Sequence, residues 1–345
     1  MSAVELRGID QERTSRWLAD NVPGLRAPVE FSLISGGRSN LTYRVTDADG
    51  LVGALRRPPT GGVLSTAHDM SREWRFISAL HGTDVPVPEP LVYCADSEIT
   101  GASFYLMGFV DGTVLADGDS AEPLSPAARH RAGMATVECM AALHGIDPDA
   151  AGLSDVARRD GYLQRQLRRW QKQVHASGAP NLELLDAVHD ALVENLPEQT
   201  TGIVHGDFRP GNLSFDGAGN VLAVFDWELA TLGEPLADLG WLIATWEEPG
   251  DEHPPVTAGP SAEGGFPTRQ ELIARYVQVT GRDVSDLPLY VAFQRWRSCC
   301  ITAGVRARYQ AGVMGDDGYV AEERARAELN QAELAWRAVT ELGLA

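Results

Sequence analysis

Three polar residues at fixed offsets carry the chemistry this chain could do. Asp207 lies in Ile203-Val204-His205-Gly206-Asp207-Phe208-Arg209-Pro210-Gly211-Asn212-Leu213. Asn212 follows five residues later, and Asp226, in Val224-Phe225-Asp226-Trp227-Glu228, fourteen after that. Short apolar runs of β type flank all three and would hold them on rigid supports. Phosphoryl transfer needs this inventory: one carboxylate to accept a hydroxyl proton, and one amide plus one carboxylate to hold magnesium. Taken singly, the same residues could cap two tight turns, since Asp and Asn are common there. The full string, its spacing and its upstream partners favour the chemistry.

The elements that must position these residues fall into two halves. A helix is predicted at Asp10–Asp20, then strands at Glu30–Ile34, Leu41–Val45 and Leu51–Leu55, forming a small meander around the glycine-containing turn Ser35–Asn40. Apolar residues Met70, Trp74, Ile77 and Leu80 recur at helical spacing over His68–Leu80. A proline-pinned connector, Val85–Pro90, leads to strands at Leu91–Ala95 and Phe104–Val110. After Asp111-Gly112 the pattern turns helical, at Pro126–His144, Tyr162–His175 and Leu182–Leu196, interrupted by the strand-rich island Ile203–Phe225. Helices close the chain near Arg269–Thr280, Pro288–Gln310 and Val320–Leu342, and Glu247–Pro267 reads as a surface loop. The division falls between residues 1–108 and 109–345.

Length and composition agree: 345 residues suit two units of roughly 150 residues each. The 44% hydrophobic and 22% charged content is that of a folded globular protein. Twenty-nine basic against 48 acidic residues give a net charge of -19. That balance speaks against binding nucleic acid or anionic membrane surfaces. Cys94, Cys139, Cys299 and Cys300 include no CxxC pair and read as reduced core thiols, which together with an N-terminus unlike a signal peptide fits a cytoplasmic protein. The HExxH and GxSxG motifs of zinc proteolysis and serine hydrolysis are absent.

With these motifs assembled, the chain resembles the aminoglycoside phosphotransferase family, which includes choline kinase-like enzymes. HGDFRPGN is similar to that family's catalytic loop and FDW to its metal-binding motif. SGGRSNLTYRV, LRRPP, AHDMSREWRF, DVPVPEPL, RQLRRW and DWELATLGEPLADLGWL resemble the kinase-like branch that some animals fuse to acyl-CoA dehydrogenase domains. The resemblance covers nearly the whole length. It implies an α+β, bilobal protein-kinase-like fold: a small mixed β-sheet N-lobe with one main helix, and a mostly helical C-lobe.

Carried over residue by residue, the resemblance makes Asp207 the catalytic base and Asn212 and Asp226 the Mg2+ ligands. Arg209 becomes a cation near the transferring phosphate, with a plain surface arginine as the other reading. Ser35, Gly36, Gly37, Ser39 and Asn40 correspond to the loop covering the phosphates of ATP, although a hairpin turn explains the bare motif equally well. Arg56 stands where kinases usually carry lysine, and Glu73 is its implied ion-pair partner. A guanidinium fork can still hold phosphate oxygens while pairing with a carboxylate. Met107, Phe109 and Val110 correspond to the hinge that reads the adenine edge. Asp238 is implied to brace the catalytic loop, His205 to support it by hydrogen bonding, and His144 to be a core histidine.

Arg165 and Arg169, four residues apart on one predicted helix face, read either as a solvated basic face or as receivers of an anionic substrate. Trp296, Arg297 and Arg306 are open to the same two kinds of reading, with helix packing as the default. The overall expectation is a Mg-ATP-dependent kinase for a small-molecule hydroxyl. The dehydrogenase-fused relatives imply a hydroxyacyl-CoA or hydroxy acid acceptor, with a separate acyl-CoA dehydrogenase completing the conversion. An aminoglycoside kinase and a non-catalytic nucleotide-binding protein are the alternatives.

Overall fold

In a computed structural model, residues 6–36, 40–50, 52–60, 69–255, 257, 259–312 and 320–344 are described. The chain divides into two compact units. One runs up to Asp111 and takes back Leu222–Leu229; the other comprises Gly112–Val221 and Ala230–Ala345. The sequence reading, with its single boundary after residue 108, did not contain this return.

The first unit opens with helix α1 (Gln11–Asn21), whose N-cap Asp10 accepts from the Arg13 amide. Strands β1 (Glu30–Gly36), β2 (Leu41–Thr46) and β3 (Val52–Arg57) follow, then α2 (Met70–Leu80), β4 (Pro90–Cys94), the short α3 (Ser97–Thr100) and β5 (Phe104–Gly108). The sheet order is β1-β2-β3-β5-β4, and each pairing is antiparallel. Alternation gives this sheet two different faces. One buries Leu41, Tyr43, Val45, Leu55 and Leu106 with Leu18 of α1 and Val22 at its C-cap. The other aligns Thr42, Arg56 and Tyr105 across three strands, since Arg56 lies opposite both neighbours. Helix α2 buries Glu73 and Phe76. Its N-cap Asp69 accepts from the Ser71 and Arg72 amides, which sets the register that carries Glu73 to Arg56.

The second unit contains β6 (Thr113–Val114), α4 (Gly118–Ala121), α5 (Pro126–Gly145), α6 (Tyr162–Ser177) and α7 (Leu182–Glu194). Next come β7 (Gly202–Val204) and β8 (Leu213–Phe215); β9 (Val221–Val224) falls, from Leu222 on, in the segment that returns to the first unit, and β10 (Thr231–Gly233) follows in the second. Helices α8 (Leu236–Thr245), α9 (Arg269–Thr280), α10 (Leu287–Gln310) and α11 (Ala321–Glu341) complete it. Strands β7 and β10 pair antiparallel, as do β6 and β8. Helix α8 was absent from the sequence reading because eight of its ten residues are buried, all but Thr245 and Ala244. A helix apolar all round shows no helical periodicity. Its Gly240 allows close approach to α10: a Cβ there would lie 2.9 Å from the Tyr290 backbone. Among the described residues, no helix is long and apolar enough to cross a membrane.

Candidate active site

Each unit carries its own cluster of the residues singled out above. In the first, Arg56 Nε donates to Glu73 Oε2 at 2.8 Å and its Nη2 donates to Asp226 Oδ1. Tyr105 Oη donates to the same Glu73 oxygen at 3.0 Å, and Asn40 Nδ2 to Glu73 Oε1 at 3.0 Å and Glu228 Oε2 at 3.2 Å. Glu73 is wholly buried. Burial pushes its carboxyl pKa up, and the Arg56 charge pulls it back without cancelling the rise. Burial works against the Arg56 cation, but Glu73 and then Asp226 more than compensate and raise its pKa. The result is a largely buried hydrogen-bonded network around one permanently charged guanidinium, in which the Asn40 amide oxygen is left without a partner.

Asp226 reaches this network through an unusual backbone. Its φ is 63°, the only positive value at a described residue other than glycine, and such strain persists only where the surroundings impose it. Those surroundings are visible: the Val224 amide donates to the Pro86 carbonyl at 2.8 Å, and the buried Trp227 ring stacks on Phe76 at 6.1 Å. The residues either side of Asp226 are thereby fixed.

In the second unit, Asp207 is held from two sides. Trp241 Nε1, on α8, donates to its Oδ1 at 2.6 Å, and Asn212 Nδ2 to its Oδ2 at 2.7 Å. Asn212 Nδ2 also donates to the Asp207 carbonyl at 2.8 Å, so the amide nitrogen is committed and its oxygen faces away as an acceptor. Arg209 Nε stands 3.5 Å from Asp207 Oδ1, an ion-pair distance without hydrogen-bond alignment. It also lines a small cavity with Gly211, Trp246 and Ser261.

The loop bearing Asp207 is tied down from below. Asp238, in the first turn of α8, accepts from the His205 amide at 2.6 Å and the Gly206 amide at 2.8 Å. His144 links Asp238, at 3.4 Å, to the Tyr276 hydroxyl, at 2.8 Å. Gly206 has φ 86°, a conformation that glycine adopts without Cβ strain, and its carbonyl accepts from Arg297 Nη2 at 2.9 Å.

A family model described as the phosphotransferase enzyme family matches residues 30–272. The chain belongs to that family. Over 323 residues this phosphotransferase is 33% identical to mouse acyl-CoA dehydrogenase family member 10, covering 92% of the chain and 30% of the mouse protein. It is 32% identical to human acyl-CoA dehydrogenase family member 11 over 314 residues, covering 88% and 40%. The chain thus spans well under half the length of these relatives. Among solved structures, a Ralstonia eutropha protein provisionally named an aminoglycoside phosphotransferase superposes with a TM-score of 0.82 at 31% identity, covering 96% of this chain and 98% of that one. Choline kinase from Cryptosporidium parvum gives 0.67 at 13% identity, covering 97% and 98%, a likeness of fold alone. The phosphotransferase fold is therefore kinase-like, with sheet and helices in the order the sequence implied.

The other residues expected in the site are placed as follows. Gly37 and Ser39 lie outside the described residues, and Ser35 and Gly36 are the last residues of β1. Asn40 spends its amide on Glu73 and Glu228. Met107 is buried in β5, and the guanidinium of Arg44 lies 4.6 Å from the centre of the Phe109 ring. Val110, just beyond β5, is half-buried. Trp241, Tyr105 and Glu228 were not singled out from the sequence. Glu228 and Trp241 lie within the string DWELATLGEPLADLGWL, whereas Tyr105 carries no motif signal.

Proposed function

We propose that this phosphotransferase moves the terminal phosphate of ATP to a hydroxyl group of a small molecule, with Asp207 as the base. The bonding of Asp207 carries the reading. Two donors from separate elements, Trp241 and Asn212, fix both carboxylate oxygens, and a positioned carboxylate can orient a hydroxyl and take its proton as the phosphate arrives. Arg209, 3.5 Å from that carboxylate, supplies positive charge beside the loop.

Asn212 and Asp226 fit a magnesium ion in chemical type, each judged within its own unit. Asn212 has an amide oxygen to offer, and Asp226 a carboxylate oxygen beyond the one Arg56 takes; both are hard oxygen ligands. Magnesium bound at such an oxygen would neutralise phosphate charge. Arg56, fixed by Glu73, is assigned to the nucleotide phosphates, with Ser35, Gly36, Gly37, Ser39 and Asn40 along their covering loop. Met107, Phe109 and Val110 are assigned to the adenine edge.

For the acceptor we infer a hydroxyacyl-CoA or related hydroxy acid, supported by the names of the mouse and human relatives; a separate acyl-CoA dehydrogenase would act on the product. An aminoglycoside acceptor is the second reading, favoured by the net charge of -19 and the name given to the Ralstonia protein. The test is ATP-dependent transfer to both acceptor classes, followed by product mass, with Asp207→Asn as control. Phosphorylated acceptor from wild type and none from Asp207→Asn is the expected outcome. Undiminished turnover by Asp207→Asn would refute the role given to this residue.

A further inference from the structure

Three guanidinium groups gather beside the Asp207 loop with no carboxylate to neutralise them. Arg165 and Arg169 lie on α6 and Arg297 on α10. Arg169 and Arg297 stand 5.0 and 5.5 Å from the centre of the Trp170 ring, and Arg297 is also 5.0 Å from the Trp241 ring. Tyr162 senses the same three charges: burial raises its hydroxyl pKa, Arg297 opposes the rise, Asp238 adds to it, and Arg165 and Arg169 oppose it, leaving the hydroxyl at about 12. Arg165 donates to the Arg158 carbonyl at 2.8 Å, and Arg297 to the Gly206 carbonyl and the Gln294 amide oxygen, both at 2.9 Å. Among the described residues, none of the three arginines has a carboxylate within ion-pair distance.

This arrangement runs against two strong tendencies. Buried charges are normally paired, yet Arg297 is only 5% exposed and its Nε has no partner. The chain as a whole has a large acidic excess, yet among the described residues no carboxylate forms an ion pair with any of the three arginines. Arg169 is exposed, but partial desolvation, and then repulsion from Arg297, lowers its pKa. The free protein therefore holds like charges together at a cost that an arriving anion would offset. Trp241, which touches Arg297 with its ring, is the residue that donates to Asp207, so the cluster adjoins the base.

We propose that this cluster receives a negatively charged group of the acceptor, with exposed Arg169 as the contact and buried Arg297 as its electrostatic support. The proposal rests on the phosphotransferase reading of Asp207 and narrows it: the acceptor is an anion. Its charge is the carboxylate of a hydroxy acid or the phosphates of a CoA thioester. A polycationic sugar is repelled from the same surface.

Four acceptor types separate the sources of charge. They are medium-chain hydroxy acids, their methyl esters, the matching hydroxyacyl-CoAs, and the same acyl groups on N-acetylcysteamine, which has no phosphate. For Arg169→Gln, KM for the charged acceptor should rise about 10- to 100-fold, as expected for a lost charge-assisted hydrogen bond. Its kcat should stay within about threefold, and the uncharged counterparts should keep their KM. Arg169→Lys should recover part of the loss. An effect on the acids assigns the site to carboxylate, and one on the CoA esters to phosphate. Equal losses for charged and neutral acceptors, or none at all, would overturn the proposal. Calorimetric binding of the same compounds without nucleotide keeps it separate from catalysis. Charge-dependent binding lost in Arg169→Gln upholds the site even if no phosphate is transferred, and a wild-type protein that binds neither anion overturns it.

Discussion

Replacing Arg56 by methionine removes one charge from the network at the centre of the first unit and leaves the Glu73 carboxylate in place. At 2.8 Å from Nε to Oε2, with charge centres about 4 Å apart, the pair is worth about 4 kcal/mol at an effective dielectric constant of about 20. Tyr105 and Asn40 still donate to Glu73 after the change, so part of its solvation survives. Stranding one member of a buried pair costs about 3–5 kcal/mol, and that is the loss expected for Arg56→Met at pH 7. Urea unfolding followed by circular dichroism and indole emission measures it. The loss should also depend on pH in a defined direction. Burial raises the Glu73 pKa above its ordinary 4.5, and losing Arg56 removes the main influence that lowers it. The folded variant then binds a proton more tightly than the unfolded chain does, so its deficit shrinks as pH falls from 7 towards 4.5. Adding Glu73→Leu should recover much of the loss by making the pair apolar. An Arg56→Met protein within about 1 kcal/mol of wild type at pH 7, or a deficit identical at pH 5 and 7, would refute this account of the network.

Two further outcomes follow from named contacts. Trp241→Phe keeps a ring beside Arg297 but removes the indole donor from Asp207; a hydrogen bond to a charged group is worth about 1.5–3 kcal/mol, so kcat should fall roughly 10- to 100-fold with acceptor KM nearly constant, and steady-state transfer with unchanged kcat would remove Trp241 from the positioning of the base. Cys139 is buried, and burial pushes its thiol from 9.0 up to about 12. Its raised folded-state pKa supports the fold below pH 9, and that support is lost between pH 9 and 12. Near pH 10 the loss is about 1.4 kcal/mol, so melting curves should decline less from pH 8 to 10 in Cys139→Ala than in wild type.

The parts of the site that were legible in the sequence are those whose neighbours in space are also neighbours in the chain. Asp207 and Asn212 share one loop, and the amide-to-carboxylate bond between them spans five residues. Trp241 sits 34 residues from Asp207 and Arg297 91 residues from Gly206. No local pattern encodes such separations; α8 and α10 deliver these side chains by packing. The strand meander was readable because alternation survives in β2, where Leu41, Tyr43 and Val45 share a face. Helix α8 was not, because burial on all sides erases periodicity. Arg56 and Glu73 came from the resemblance, whereas Tyr105, which donates to the same Glu73 oxygen as Arg56, is an ordinary strand residue in sequence. The cation cluster illustrates the same limit: RQLRRW shows basic residues on a helix, but whether carboxylates answer them depends on what α10 brings alongside.

The return of Leu222–Leu229 to the first unit has a consequence for biosynthesis. After Asp111 has left the ribosome, 118 more residues must be made before Leu229 emerges and the first unit has all its parts. At 5–20 residues per second this takes on the order of 10 s. Through that interval Phe76 lacks the Trp227 ring, and Arg56 has one of its two carboxylates. A nascent chain in this state presents an unfinished apolar face for seconds, long enough for a chaperone to bind. The first unit thus closes only after Gly112–Val221 of the second has been made.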